Sequence, residues 1–193
     1  MSLLKSCQTR HVTFTDCHHK VLNFLVYNLK LNFGEGDRSR DVLRHHTESG
    51  PPTVIHENNV KDVVFHKRIN HEGDESDETR TASVQHLDWT RFNPDALQST
   101  ADVILGSDIV YERSLLPPLA HVIRTVLSSA SATAVAYIAC TERSHTTLSC
   151  FESALEKEQL KHEVVHKGFF GPTEVMLSSD VQHKPVRLYK IWP

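Results

Sequence analysis

Apolar and polar positions divide the chain into alternating strand-like and helix-like stretches, with one long polar interruption. His11–Thr15 is a short β-branched and aromatic run that ends on Asp16, the pattern of a strand entering a turn. From His18 to Asn32, Val21, Leu22, Leu25, Val26 and Leu29 recur at helical spacing, so an amphipathic helix is predicted there, with Asp16 placed to cap it. A second strand is expected at Ser83–Leu87, ending in Asp88-Trp89. A third is expected in Ala101–Tyr111, ADVILGSDIVY, whose apolar run ends on Asp108 with Tyr111 three residues on.

Leu115, Leu116, Leu119, Val122, Ile123, Val126 and Leu127 follow helical spacing, and Pro117 and Pro118 are tolerable because they fall near the first turn, where amide donors have no partner. Ala134–Cys140 is a further strand, and Leu148, Phe151, Leu155 and Leu160 mark a helix over Thr146–Leu160. His162–His166 and Val186–Trp192 are the last strand candidates, with Phe169-Phe170-Gly-Pro and Glu174-Val-Met-Leu between them. Strands alternating with helices, closed by a paired terminal hairpin, predict an α/β doubly wound, Rossmann-like sheet with an antiparallel edge.

The interruption covers residues 34–81. It is rich in charge and turn formers, with strand-like material only at Thr53–Ile55 and Val60–Phe65. A loop of that length is unusual inside a compact domain, so it reads as an insertion, largely disordered, with room for one short strand or helix. Residues 1–193 are otherwise expected to form a single domain. Leu3 and Leu4, followed by Lys5, Ser6 and Cys7, look like the last turn or two of a helix.

Composition narrows the function classes. A formal net charge of −3 lacks the basic footprint of a nucleic-acid binder. No apolar run approaches the roughly 20 residues needed to cross a bilayer, and the N-terminal apolar stretch is too short for a signal peptide, so a soluble cytoplasmic protein is expected. Cys7, Cys17, Cys140 and Cys150 are widely spaced, which fits free thiols better than a disulfide framework. Cys17 and Cys140 have histidines nearby but no visible oxyanion element, so small buried thiols are expected rather than nucleophiles. His18-His19 and His45-His46 have no second ligand cluster at zinc-like spacing and read as solvated.

Three carboxylates, Asp16, Asp88 and Asp108, each close a predicted parallel strand. Carboxyl ends of such strands lie along one edge of an open α/β sheet, so the three are expected to line one crevice. A carboxylate there accepts hydrogen bonds from ribose hydroxyls, and the Trp89 indole offers an apolar face to an adenine ring. A nucleoside cofactor fits.

Val12-Thr-Phe-Thr-Asp-Cys-His18 followed by Val21-Leu22, then Leu87-Asp88-Trp89, then Ala101 to Tyr111, together resemble the seven-strand S-adenosylmethionine-dependent protein-lysine methyltransferases of methyltransferase family 16. The T-D-C-H turn and the Tyr137-Ile-Ala-Cys-Thr-Glu-Arg143 strand end are most similar to the elongation factor 2 lysine methyltransferase branch. The resemblance implies protein-lysine N-methylation with S-adenosyl-L-methionine as cofactor, a protein substrate such as elongation factor 2, and no metal. It also implies that Asp16 lies by the cofactor ribose, Asp88 and Trp89 at the adenine, and Ser107 among the cofactor contacts. Asp108 and Tyr111 become the family's D-x-x-Y element, at the mouth where the target lysine meets the methyl group.

One departure stands out. The family carries a G-x-G turn after its first strand, and none of the seven glycines here forms such a turn ahead of Asp16. The chain is therefore expected to lack the first strand and its glycine loop, and to bind cofactor weakly alone. Two alternatives follow: a non-catalytic methyltransferase-like binding module or fragment, and a dinucleotide-dependent Rossmann enzyme, against which the missing loop counts as heavily.

Overall fold

Two separate sheets organise the protein. In the computed structural model, which describes residues 9–33, 60–71, 74–96, 100–168 and 184–193, β1 (His11–Asp16), β2 (Val60–His71) and β3 (Asp74–His86) form a three-stranded sheet in the order β1-β3-β2. β4 (Val103–Ser107), β5 (Val135–Thr141), β6 (Lys161–Gly168) and β7 (Val186–Trp192) form a four-stranded sheet in the order β4-β5-β7-β6. The chain divides accordingly into two compact units, Met1–Asp88 and Trp89–Pro193.

In the first unit β1 runs parallel to β3, from His11 opposite Thr81 to Asp16 opposite His86. Helix α1 (His19–Phe33) follows β1 after a two-residue turn that Asp16 holds, its Oδ1 accepting the His18 N–H at 2.7 Å. Leu22, Val26 and Leu29 are the buried stripe of α1 and meet Ala82 and Val84 of β3, with Val12, Phe14 and Leu25 packed around them. Val21, expected on that stripe, is exposed. The buried stripe is narrower than the apolar spacing suggested.

The expected insertion is corrected in its second half. Where irregular chain with one short element was expected, β2 and β3 pair antiparallel over their whole lengths, from Val60 opposite Gln85 to His71 opposite Asp74. Their composition masks this, since charged residues dilute the period-two pattern. The register sets Lys67 opposite Glu78 and Arg68 opposite Asp77. Readings on residues 1–8, on Thr53–Ile55 and on the segment 169–183 lie outside the described residues.

The second unit follows the predicted alternation. Helix α2 (Leu116–Ser129) has its two prolines at the first helical positions, where no amide bond is lost. Helix α3 (His145–Lys157) is capped by Ser144, whose side chain accepts the Thr147 N–H. It ends where Gln159 turns into the left-handed region at φ 59°. Alternate residues Ala136, Ile138 and Cys140 of β5 and Tyr189 and Ile191 of β7 share one core with Leu119, Ile123 and Leu127 of α2 and Leu148, Phe151 and Leu155 of α3. Burying each large side chain contributes about 1.5–3 kcal/mol. Parallel β4–β5 pairing, then antiparallel β5–β7 and β7–β6 pairing, matches the expected doubly wound sheet with an antiparallel edge. Among the described residues no helix is long and apolar enough to cross a membrane.

Gly106 lets β4 lie against this core. A Cβ there would come within 2.5 Å of Ile109 Cδ1 and 2.8 Å of Ile138 Cδ1. Gly106→Ala is therefore expected to destabilise the second unit by about 1–3 kcal/mol, the usual range for overpacking, as a lower urea midpoint at unchanged m-value. An unchanged midpoint would show that the two isoleucines yield freely.

Candidate functional site

The candidate residues fall in both units, and each group is described within its own. At one end of the first sheet, β1 and β3, being parallel, bring Asp16 and Asp88 to the same edge. The Asp16 carbonyl accepts the Leu87 N–H at 3.0 Å, one ladder step beyond β3. Both carboxylates act on Cys17, whose thiol is raised above its ordinary pKa by partial burial and then by the charges of Asp16 and Asp88. Cys17 is exposed rather than buried as expected, but a thiol held protonated between acids is a poor nucleophile. His86 Nε2 hydrogen-bonds the Cys17 carbonyl at 3.1 Å and its ring stacks on His19 at 4.7 Å. The edge is thus a small polar cluster of two acids and two imidazoles.

In the second unit Trp89 is half-buried in a 3-10 turn (Trp89–Arg91) and packs against the core. Ser107 ends β4 opposite Ala139. Asp108 follows with φ 56°, a left-handed conformation that a non-glycine residue adopts only where its surroundings hold it. Its amide donates to the Ala139 carbonyl at 2.7 Å. Two residues on, Val110 returns to the core at 5% exposure, while Tyr111 stands 57% exposed. The buried valine fixes the loop and leaves the acid and the phenol on its outer side.

Asp108 does not stand alone. Arg143, two residues beyond β5, sets its Nη2 2.5 Å from Asp108 Oδ2. Sequence reasoning noted Arg143 only as part of a strand end and gave it no role, because the pair depends on β4 and β5 being neighbours. Next to it, Glu142 turns the other way: its Oε1 accepts from Arg187 Nη2 at 2.7 Å, and Arg187 Nη1 lies 3.5 Å from Glu152 Oε1, which also accepts the Tyr189 hydroxyl at 2.7 Å. The hydrogen bond from Arg187 holds Glu142 below the ordinary carboxylate range. Burial and then the bond to Glu152 push the Tyr189 phenol up. Burial pushes the Cys140 thiol up to about 11, so this cysteine is an inert core residue.

Comparison with known proteins decides the family. Residues 57–158, more than half of the chain, match the lysine methyltransferase family. The chain belongs to that family. An uncharacterized protein of Dictyostelium discoideum is 29% identical to this lysine methyltransferase family member over 190 residues, covering 95% of this chain and 46% of that protein. The chain thus spans about half the length of the relative it matches. Precorrin-6y C5,15-methyltransferase of Geobacter metallireducens shares 15% identity over 56% of this chain and 52% of its own, at a TM-score of 0.34, too distant a likeness to bear on the argument.

With the family goes the Rossmann-like methyltransferase fold, which the parallel pairs β1–β3 and β4–β5 and the antiparallel β7 display. Among the described residues of this family member, β1 and β4 are edge strands of their sheets, and no group of His, Cys, Asp and Glu could hold a metal ion.

The Glu142–Arg187 pair gives a pH prediction. A carboxylate depressed in the folded state adds stability that is fully present above its unfolded value of about 4.3 and is lost as pH falls through the lower folded value. Glu142→Gln should therefore lie below wild type in urea stability at neutral pH and converge on it in acid. Parallel curves down to the acid transition would show that the pair contributes no titrating stability.

Proposed function

We propose that the protein is an S-adenosyl-L-methionine-dependent protein-lysine N-methyltransferase whose substrate is a translation factor, elongation factor 2, in the cytoplasm. Family membership supports the chemistry, and the T-D-C-H turn and the Tyr137–Arg143 strand end, which resemble the elongation factor 2 branch, support the substrate. The single observation that carries the reading is the end of β4: an exposed carboxylate, Asp108, held out by a left-handed backbone, with exposed Tyr111 beyond a buried Val110.

Asp16, at the end of β1, and Asp88, two residues beyond the adjacent parallel strand β3, are the acceptors that ribose hydroxyls and an adenine amine require, so the acceptor set of this chain fits the cofactor. The family resemblance assigns the Trp89 indole face to the adenine and Ser107, at the end of β4, to the cofactor contacts. When bound, S-adenosyl-L-methionine supplies a methyl group activated by sulfonium charge. Asp108 would orient the approaching lysine through its ammonium hydrogens, one proton passing to solvent before transfer so that the amine reacts neutral, and Tyr111 would flank the amine. Catalysis is then mainly alignment and desolvation, and no metal enters.

A second reading is a non-catalytic methyltransferase-like binding module. Calorimetric titration separates the two. Catalysis predicts measurable heat with S-adenosyl-L-methionine, weakened by roughly 10- to 100-fold in Asp16→Asn, the loss of one charged hydrogen bond. It also predicts that Asp108→Asn lowers kcat/KM on elongation factor 2 on the order of a hundredfold, as misplacement of a reacting group does, with cofactor affinity unchanged. No heat at millimolar cofactor supports the binding module instead, and undiminished activity in Asp108→Asn removes the D-x-x-Y assignment.

A further inference from the structure

The end of β5 is built to aim one cation. The Arg143 N–H donates to the Thr141 carbonyl at 2.8 Å, closing a three-residue turn, and the Glu142 N–H donates to the Pro185 carbonyl at 2.8 Å. The Glu142 side chain is tied inward to Arg187. Backbone and neighbour are fixed, so the Arg143 side chain leaves from a rigid base. It reaches the neighbouring strand end, where Asp108 is itself fixed by its amide bond to Ala139 and by its left-handed backbone. Two rigid mounts thus carry an ion pair whose members remain 55% and 44% exposed.

We propose that Arg143 is a positioning residue: its guanidinium holds the Asp108 carboxylate in the place of a target lysine ammonium and gives it up when that lysine arrives. The proposal rests on reading Asp108 as the lysine-facing carboxylate. Its physical basis is the contrast between neighbouring pairs. Arg187 and Glu142 are 14% and 19% exposed, and separating them would strand charge in a half-buried setting. The Arg143–Asp108 pair lies in water, where an ion pair contributes little, and a second cation exchanges with the first at small cost. The carboxylate is kept correctly oriented without becoming unavailable. Selectivity follows, because only a side chain that brings its own charge replaces the guanidinium, while a neutral side chain of the same length leaves the pair closed.

The test uses Nα-acetyl-lysine amide as probe and Nα-acetyl-norleucine amide as its neutral counterpart, followed by NMR of the Arg143 side-chain N–H and the Ser107–Tyr111 amides. In wild type, the lysine amide is expected to move the Arg143 signal toward its position in Asp108→Asn, and the norleucine amide to leave it in place. Arg143→Ala and Arg143→Gln should lower the half-saturating lysine amide concentration, read at the Ser107–Tyr111 amides, roughly two- to fivefold, the release of one exposed ion pair. Arg143→Lys should restore the wild-type midpoint. An unmoved Arg143 signal, equal response to both amides, or Arg143→Gln behaving as wild type overturns the proposal. Displacement seen in a protein that transfers no methyl group refutes the activity and leaves the exchange standing. Transfer without displacement refutes the exchange alone.

Discussion

The hydrogen bond from the Asp108 amide to the Ala139 carbonyl, 2.7 Å long, is the last rung of the β4–β5 ladder, and the functional edge of the second unit depends on it. The bond keeps the chain against β5 for one residue beyond β4, so the turn away from the sheet is taken at Asp108 itself. A left-handed backbone there costs on the order of 1 kcal/mol for a residue with a Cβ, least for aspartate and asparagine. Packing supplies the compensation. Gly106 lets Ile109 and Ile138 close over the strand, and Val110 re-enters the core immediately after the turn. With the backbone held on both sides, Asp108 and Tyr111 point outward because no other direction remains.

The same edge shows how one fold uses charge in two ways. Glu142 and Arg143 are consecutive, yet one joins a shielded network with Arg187, Glu152 and Tyr189, and the other an exposed pair with Asp108. The network ties β5 and β7 to α3 and sets the direction in which residue 143 leaves the sheet. The exposed pair is the exchangeable part. The first unit repeats the architecture with different contents: parallel strands deliver Asp16 and Asp88 to one edge, and Asp16 also holds the turn before the helix that follows.

Much of this was legible in the sequence because burial is written as periodicity. Leu116, Leu119, Val122, Ile123, Val126 and Leu127 line the buried side of α2, and Leu148, Phe151 and Leu155 that of α3, at their expected spacing. Strand ends at Asp16, Asp88 and Asp108 were visible because an apolar run stopped at an acid. The β2–β3 hairpin was not visible, since its charged residues carry no alternation of their own and its register is set only by the pairing of the two strands. Arg143 and Arg187 were missed for a related reason. Their partners lie 35 and 45 residues away, and strand order, which no local pattern encodes, brings them together. The left-handed turn at Asp108 was equally hidden, because an aspartate after a strand is compatible with many turns.

The most direct measurement of the central claim is the intact mass of elongation factor 2 after incubation with this protein and S-adenosyl-L-methionine, followed by peptide mapping. The account predicts a mass gain in whole methyl increments confined to one lysine. Unchanged mass, or methyl groups scattered over many residues, would contradict it.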